Sequence, residues 1–441
     1  LSEPGSGSDA LAARTTAVLN AAGTHYLFNG TKQWITNAAW ADVGIVFAKV
    51  DGDKFTAFIV DSATEGFSTG NEEHKMGLRG SSTRQLIYND ALIPVENVLG
   101  EVGKGHHVAF NTLNLGRFKL GASTIGAAKR ALKESMAYAT DRKQFRTSII
   151  DFGAIREMLA DSVVQVYLAE SLNYRIAGMI DARLEGKDHD DPKVLMTAVE
   201  EYVIEASISK VYSSEMLDRT LDRCLQWHGG YGFVEDYAIE KFVRDARVNR
   251  IFEGTNEINR LLIPGTLMKR VMTGRLDAES GIGELEKRLA TGSVPGLPED
   301  DGLARAEFAL QRLKWLSLTV FQAATSEYGI GLSKEQETLI GLSNLIIDCY
   351  AVDSAIARTK QGKSNPDADA VCKIAAYEAL DRGVVSSWRL IEAIFDGSDE
   401  LDTWAAKLNQ LSAHVPANLI ALKRQVAAGT VKAGRFHLSN Y

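Results

Sequence analysis

The segment around Glu253 places an acidic side chain directly before a predicted helix. Glu253 is followed by Gly254 and Thr255, and then by an apolar helical pattern that starts at Asn256. Gly254 lets the backbone approach another group closely, and Thr255 is a candidate N-cap. A helix that begins behind Thr255 points free N–H groups and the positive end of its dipole at whatever lies in front. The spacing therefore predicts a carboxylate held at the mouth of a helix.

The composition is that of a globular protein and argues against several classes. The 441 residues suffice for two to four domains, and 45% are hydrophobic and 24% charged. A net charge of −8 argues against nucleic-acid binding and gives no basic surface for anionic lipid. Cys224, Cys349 and Cys372 are too widely spaced for a disulfide framework or a metal site, which favours a reducing compartment. No uninterrupted apolar run reaches the ~18 residues that a membrane span needs.

The elements that must position Glu253 fall into two kinds. The Gly-rich, turn-rich stretch 1–102 carries short β-type runs, and Asn29-Gly30 after Tyr26–Phe28 predicts a hairpin turn. Long helical periodicity over 103–275 predicts an antiparallel bundle, and more helices fill 276–441. The breaker-rich stretch Ala290–Pro298 predicts a linker or exposed loop. Further strands are predicted at Val43–Val50, Thr56–Val60 and Arg84–Tyr88, and helices at His106–Arg142, Asp151–Leu184, Pro192–Gln226, Tyr237–Arg250, Asn256–Met272, Gly302–Tyr328, Lys334–Gln361, Asp367–Phe395 and Asp399–Gln425.

Several motifs, in order along the chain, resemble those of flavin-dependent acyl-CoA dehydrogenases. Leu1–Asp9 is similar to their Thr-Glu-Pro-x-x-Gly-Ser-Asp loop, with Ser2 in place of Thr, and Gly30–Asn37 contains their Trp-Ile-Thr-Asn signature. Arg142–Phe145 matches Arg-x-x-Phe, and Gln226–Gly232 matches Gln-x-x-Gly-Gly-x-Gly. Taken singly, each also fits a surface loop, a core strand, a solvated helix end or a plain turn. Their joint order and spacing over residues 1 to about 270 carry the resemblance.

The resemblance implies an α+β fold, with a small β-barrel-like domain (1–102), a four-helix bundle (103–275) and an additional all-α C-terminal domain (276–441). It makes Glu253 the catalytic base. Some branches of the family place this base immediately before the arginine that corresponds to Arg117, where this chain has Gly116. The residues implied to bind FAD are Ser2, Trp34, Thr36, Arg142, Gln144, Phe145, Gln226, Gly229, Gly230, Thr255 and Glu257. Those implied to bind the acyl-CoA are Ser8, Asn114, Arg117 and Gly254, and no metal site is implied.

The implied reaction is α,β-dehydrogenation of a long-chain fatty acyl-CoA to a trans-2-enoyl-CoA, in fatty acid β-oxidation. Glu253 removes the α-proton, the β-hydride passes to FAD near Thr36, and an electron-transfer flavoprotein accepts the electrons. Arg142 reaches FAD across a subunit interface in the family, which implies a homodimer. The additional C-terminal helical domain is similar in size to that of the very-long-chain branch. This resemblance is the only basis for expecting a long acyl chain in the substrate. In relatives this domain caps the dimer and can touch a membrane.

Three alternatives remain open. An acyl-CoA oxidase performs the same chemistry with oxygen as acceptor, and a scaffold protein can use the same fold without catalysis. The family's N-terminal helical domain has no counterpart in this sequence, which leaves open a truncated chain with an incomplete site. We expect the protein to reside in a bacterial cytoplasm or a mitochondrial matrix and not to be secreted.

Overall fold

The computed structural model describes residues 1–188, 190–299 and 302–438. It mixes helices and strands and is helix-rich, with 63% of residues helical. The strands are β1 Thr16–Leu19, β2 His25–Thr36, β3 Val43–Val50, β4 Lys54–Asp61, β5 Phe67–Thr69, β6 Thr83–Pro94, β7 Val98–Leu99, β8 Lys143–Gln144 and β9 Thr147–Ser148. The helices are α1 Gly105–Asp141, α2 Gly153–Leu184, α3 Pro192–Glu201, α4 Val203–His228, α5 Ala238–Ala246, α6 Asn256–Met272, α7 Ala278–Thr291, α8 Leu303–Tyr328, α9 Gln336–Gln361, α10 Pro366–Ile394, α11 Leu401–Leu411 and α12 Leu419–Ala433.

The chain divides into two compact units. The sheet unit consists of Leu1–Gly116 together with the short segment Phe252–Thr255, and the helical unit consists of Arg117–Ile251 and Asn256–Tyr441. The predicted domain boundaries at 102 and 275 stay a prediction, and residues 439–441 of the predicted third domain lie outside the described residues.

The sheet unit contains a seven-stranded mixed sheet in the order β5-β6-β2-β1-β3-β4-β7. Its neighbours pair antiparallel except β1 and β3, which run parallel. Phe28 and Phe58 meet edge to face in its core, with ring centroids 4.7 Å apart. Among the described residues the strand pairing does not close into a ring. The barrel-like description is therefore not confirmed, and the sheet is open.

The hairpin predicted at Asn29-Gly30 is wrong, because β2 continues through both residues to Thr36. The turn that precedes β2 lies at 20–24, between β1 and β2. Gly30 serves another purpose. A Cβ at this position would lie 2.6 Å from Thr15 Oγ1 and 2.9 Å from Thr15 Cα, so glycine permits a close approach of a neighbouring segment.

The helical unit follows the predicted periodicity, with two interruptions. The helix predicted over Pro192–Gln226 is two helices, α3 and α4, which meet at Tyr202. The helix predicted over Asp399–Gln425 is also two helices, α11 and α12. Pro416 lies in the connection between them, and proline lacks the N–H that a continuous helix needs. The segment 278–291 forms helix α7, which ends at Gly292 in the left-handed conformation.

Buried charges join the helices of this unit at one place. Arg358 of α9 donates from Nη2 to Glu170 Oε2 of α2 at 2.9 Å and to the Leu438 carbonyl at 2.9 Å, and Lys129 of α1 also pairs with Glu170. Both members of the Glu170–Arg358 pair are buried, so losing Glu170 would remove the carboxylate that compensates the charge of Arg358. Helix α9 is long and apolar enough to cross a membrane by length and composition, but 56% of its apolar window is buried inside this unit, as expected of a core helix.

Candidate active site

The opening loop of the sheet unit is fastened to strand β2. Glu3 and Ser6 exchange backbone hydrogen bonds of 2.8 and 3.1 Å across the Pro4-Gly5 turn. The Gln33 N–H donates to the Ser2 carbonyl at 2.9 Å, which sets Ser2 beside β2. Ser8 lies exposed at the end of the loop. The structure therefore brings Ser2 next to the strand that carries Trp34 and Thr36.

A buried ion pair holds this loop, and the sequence analysis did not find it. The Glu3 carboxylate accepts hydrogen bonds from the Arg14 N–H (2.5 Å), the Thr15 N–H (3.1 Å), Thr15 Oγ1 (2.6 Å) and Lys32 Nζ (2.5 Å). The Glu3 and Lys32 side chains are 6% and 1% exposed. A signal was present, because Tyr26, Phe28 and Lys32 occupy alternate, inward-facing positions of β2.

The hydrogen bonds keep the Glu3 carboxylate ionised. Burial alone would raise the pKa of Glu3, but the bonds from the Arg14 N–H, Lys32 and Thr15 outweigh it and lower the pKa to about 2. Burial lowers the pKa of Lys32, and the Glu3 carboxylate opposes that shift. With Glu3 ionised throughout the neutral range, the pair is a permanent link between the loop and β2.

A β-bulge directs Trp34 away from the sheet. The register between β2 and β6 shifts between Lys32 and Ile35, where Gln33 and Trp34 oppose the single residue Gln85. Trp34 has a φ of 58°, and its side chain is 59% exposed. Thr36, also exposed, ends the strand opposite Thr83. The bulge thus presents an indole and a hydroxyl at one end of β2, beside Ser2.

Glu253 lies in the part of the sheet unit contributed by Phe252–Thr255. Its φ is 58° and that of Gly254 is 80°, so two consecutive residues adopt the left-handed conformation before α6 begins. For a glutamate this conformation is costly, and it occurs most often at functional sites. A Cβ placed on Gly116 would lie 2.6 Å from Glu253 Oε2 and 2.9 Å from Cδ. The glutamate carboxylate therefore lies directly against the backbone of Gly116.

The resemblance implies a base at position 253 or, in some branches, at position 116, and these two positions lie in contact. Position 116 is the alternative place, and its missing side chain leaves room for the carboxylate that comes from position 253. Asn114, one of the residues predicted to bind substrate, is buried on the same helix. The sheet unit thus holds the predicted residues Ser2, Ser8, Trp34, Thr36, Asn114, Glu253, Gly254 and Thr255.

The helical unit holds the remaining predicted residues, and several of them share one region. Arg142 lies over the ring of Tyr231, with its guanidinium carbon 5.3 Å from the centroid, which links the hairpin after α1 to the glycine turn after α4. Phe145, with a φ of 52°, is 90% exposed at the tip of that hairpin, and Gln144 is exposed beside it. Gly229 has a φ of 58°, which explains a glycine there. The region thus comprises Arg142, Gln144, Phe145, Gln226, Gly229 and Gly230.

Two predicted residues of the helical unit lie elsewhere along its helices. Arg117 is buried in α1, and Glu257 is exposed in the first turn of α6. His228 is a packing residue: its ring stacks on Tyr138 at 4.2 Å, and its Nδ1 lies 2.7 Å from the Cys224 carbonyl. No cluster of three or more His, Cys, Asp or Glu side chains able to hold a metal occurs in the described part of the chain.

A polar cluster fastens the start of α6 to α4, and it too was not found from the sequence. Lys210 Nζ donates to Asn256 Oδ1 at 2.6 Å, and Asn256 Nδ2 donates to Glu215 Oε1 at 3.0 Å. Arg260 donates to both Glu215 oxygens at 2.7 and 3.0 Å, in a bidentate pair. These bonds fix the helix that follows Glu253 in the chain.

Comparisons with known proteins identify the family of this chain. The acyl-CoA dehydrogenase middle-domain model matches residues 1–91, and two models described as acyl-CoA dehydrogenase, C-terminal domain, match residues 103–268 and 312–409. The chain belongs to the acyl-CoA dehydrogenase family. The family consists of FAD-dependent oxidoreductases.

Three relatives of this family member give the scale of the similarity. A probable acyl-CoA dehydrogenase of Bacillus subtilis is 42% identical over 99% of this chain and 75% of its own length. The crystal structure of an acyl-CoA dehydrogenase complexed with FAD from Bacillus anthracis matches with a TM-score of 0.96 and 43% identity, over 99% of this chain and 76% of that one. The human mitochondrial very long-chain specific acyl-CoA dehydrogenase is 34% identical over 82% of this chain, which spans 57% of that relative.

The residues present are suited to FAD. In the sheet unit, an exposed indole and the hydroxyls of Ser2 and Thr36 lie at one end of β2, which suits the face and polar edge of a flavin ring. In the helical unit, the guanidinium of Arg142 and the backbone of Gly229 and Gly230 are donors of the kind that bind a diphosphate. A Cβ on Gly230 would meet no atom within 4 Å, so the chain's own packing does not require glycine there. The assignment of individual residues to FAD and to acyl-CoA stays a prediction.

Proposed function

We propose that this protein catalyses the FAD-dependent α,β-dehydrogenation of long-chain fatty acyl-CoA to trans-2-enoyl-CoA, and that an electron-transfer flavoprotein receives the electrons. The observation that carries this proposal is the Glu253 carboxylate lying against Gly116. A general base is needed to remove the α-proton, and the two positions from which the family supplies it meet here, with one carboxylate between them.

Glu253 acts as the base. The α-proton of a thioester is too weakly acidic for an unaided carboxylate, so the negative charge that develops on the carbonyl oxygen must be stabilised as the proton leaves. The backbone N–H of Glu253 donates to that oxygen. Bound substrate excludes water from the carboxylate, and this desolvation raises its pKa toward the value that proton abstraction requires. The left-handed backbone at Glu253 and Gly254 sets the direction of this side chain.

FAD, when bound, supplies the acceptor for the β-hydride. Ser2, Trp34 and Thr36 would hold its ring, while Arg142, Gln144, Phe145, Gln226, Gly229, Gly230, Thr255 and Glu257 would hold the rest of it. Ser8, Asn114, Arg117 and Gly254 would bind the acyl-CoA. Asn114 and Arg117 are both buried, as expected of polar groups that work in a site shielded from water.

The test is an anaerobic absorption titration of the FAD-loaded protein with palmitoyl-CoA, for wild type and Glu253→Gln. We expect the flavin band to bleach in the wild type, with a long-wavelength charge-transfer band. The Glu253→Gln protein keeps its FAD, but its rate of bleaching falls by several orders of magnitude because the base is lost. Rapid bleaching in the variant would refute the assignment of Glu253. An unbleached wild-type protein would refute the dehydrogenation of this substrate and favour a scaffold role.

The acceptor and the chain length are tested with the same protein. We propose the very-long-chain branch because the helical unit continues through α8–α12 and because the human relative of that name matches 82% of this chain. Turnover that rises from butyryl-CoA to palmitoyl-CoA supports this branch, and the reverse order contradicts it. Oxygen consumption during aerobic turnover, at a rate equal to substrate loss, would identify an oxidase instead.

We also propose a homodimer in which Arg142 reaches the FAD of the partner subunit. The exposed Phe145 and Phe233, 90% and 87% exposed, support this, since large aromatic side chains left in solvent are typical of surfaces that bind another molecule. Arg142→Ala should lower the FAD content of the purified dimer, and an unchanged FAD content would contradict the cross-subunit role. Peripheral membrane contact through the C-terminal helices and residence in a bacterial cytoplasm or mitochondrial matrix remain proposals, testable by vesicle flotation and fractionation.

A further inference from the structure

We propose that Glu3 and Lys32 form a positioning pair, which holds the opening loop against the bulge of β2 so that Ser2 and Trp34 meet the flavin and Ser8 meets the thioester ligand in a fixed arrangement. This inference rests on the proposed function and assigns a role to two residues that touch neither ligand directly. The opening loop and strand β2 both lie in the sheet unit.

Several segments of the chain converge on the Glu3 carboxylate. The Glu3 oxygens accept from the N–H groups of Arg14 and Thr15, from the Thr15 hydroxyl and from Lys32 Nζ. Three stretches of chain, around residue 3, residues 14–15 and residue 32, are therefore fixed to one another at a single buried point. A carboxylate can satisfy all these donors together, whereas an amide has one acceptor oxygen and brings donors of its own.

The backbone at Gly30 leaves room for the contact between Thr15 and Glu3. Thr15 reaches Glu3 only because Gly30 has no side chain, since a Cβ there would lie 2.6 Å from Thr15 Oγ1 and 2.9 Å from Thr15 Cα. Gly30 also has a φ of 149°, which other residues seldom adopt. Glycine at this position thus permits both the backbone conformation and the approach of Thr15, the residue that donates to Glu3.

The stability of the fold does not by itself require the Glu3–Lys32 pair. An ion pair buried in a protein can often be replaced by well-packed apolar side chains without loss of stability. The same sheet has an apolar core a short distance away along β2, at Tyr26 and Phe28. A charged pair, however, has directional bonds and so fixes one geometry, which is what a ligand-binding loop requires.

The pair lies directly before the bulge of β2. Lys32 precedes Gln33, whose N–H donates to the Ser2 carbonyl, and Trp34, which the bulge turns outward. A bulge interrupts the regular ladder, so the ladder alone does not hold the strand in register there. The ion pair at Lys32 and the Gln33–Ser2 bond together set the loop and the indole at a constant separation.

The test compares Glu3→Gln and Lys32→Met with Val46→Ala, a control that removes two methyl groups from the core of the same sheet, away from the loop. The first readout uses FAD-free protein and measures hydrogen exchange at the Gln33 amide, which the Ser2 carbonyl protects. The second uses the same proteins to measure the dissociation constant for FAD. The third uses FAD-loaded protein to measure kcat and KM for palmitoyl-CoA.

We expect exchange at Gln33 to speed up at least tenfold in both variants, the FAD dissociation constant and the KM to rise at least tenfold, and kcat to change less than threefold. The control should lower the melting temperature and leave the other values within twofold of wild type. Unchanged Gln33 exchange or unchanged ligand affinities in both variants would overturn the inference, as would equal effects in Val46→Ala. If Glu3→Gln does not fold, Lys32→Met carries the test of the ion pair, and Thr15→Val, which removes one donor to Glu3, tests the rest of the cluster. A wild-type protein without FAD binding or turnover would refute the proposed function, while the exchange measurement would still decide whether the pair holds the loop.

Discussion

Replacing Gly116 with alanine should damage catalysis without damaging the fold. The new Cβ would lie 2.6 Å from Glu253 Oε2. Because an unstrained carbon–oxygen contact is about 3.3 Å, the carboxylate must move about 0.7 Å. A side-chain end can move that far at low cost, and alanine is preferred over glycine in a helix by about 1 kcal/mol. We therefore expect the free energy of unfolding to change by no more than about 1 kcal/mol, in either direction.

The effect on the reaction should be much larger. A catalytic group misplaced by about 1 Å loses about 100-fold in rate, so a displacement of about 0.7 Å predicts a fall in kcat of roughly 10- to 100-fold. The assay is turnover of palmitoyl-CoA with an artificial electron acceptor, alongside urea unfolding. Gly126→Ala is the matched control, since it makes the same change in the same helix, where a Cβ meets no atom within 4 Å. Wild-type kcat in Gly116→Ala, or an equal loss of kcat in Gly126→Ala, would refute the placement of Glu253.

Three further predictions concern pH, thiols and the opening loop. The pKa of Glu3 is lowered from 4.5 to about 2 in the folded protein, so its stabilising contribution is complete above pH 5 and is lost as the pH falls toward 2. Other carboxylates titrate in the same range, so the free energy of unfolding in urea is compared between the wild type and Glu3→Gln. The difference between the two proteins should shrink as the pH falls from 6 toward 2, and a constant difference would contradict the prediction. Burial raises the pKa of Cys224, Cys349 and Cys372 to about 12. A thiol reagent at pH 8 should therefore leave the native protein unlabelled and label three thiols after unfolding. Fast labelling of the folded protein would show that the reagent reaches these thiols. A Cβ on Gly7 would meet no atom within 4 Å, and the φ of Gly7 is not positive, so Gly7→Ala should keep or slightly raise the melting temperature. If the loop contacts the thioester ligand as proposed, the KM should rise roughly tenfold, which corresponds to an overpacking cost of about 1–3 kcal/mol. An unchanged KM would place Gly7 outside the contact.

Features that depend on local chemistry could be predicted from the order of the residues alone. Helical periodicity placed the long helices of the helical unit, such as α1, α2 and α9, to within a few residues, because an apolar stripe must recur every three to four residues to face a core. The motif order identified the family, and the glycine at 116 left Glu253 as the candidate base. Pro416 was a visible signal for the break between α11 and α12, whereas the break at Tyr202 has no proline or glycine to mark it.

What the tertiary structure decided depends on contacts between residues that are distant in the chain. Asn29-Gly30 has the local chemistry of a hairpin turn, but Asn29 pairs with Thr16 of β1 and Gly30 with Tyr88 of β6, which makes it the middle of a strand. A lysine is usually a solvated cation, but the loop that carries Glu3 folds over Lys32, and the two side chains form a buried ion pair. Gly116 and Glu253 meet only because folding brings the start of α1 and the segment before α6 together in one unit. Periodicity and propensity report on neighbours along the chain, so a contact that depends on the folded path of the backbone cannot be read from them.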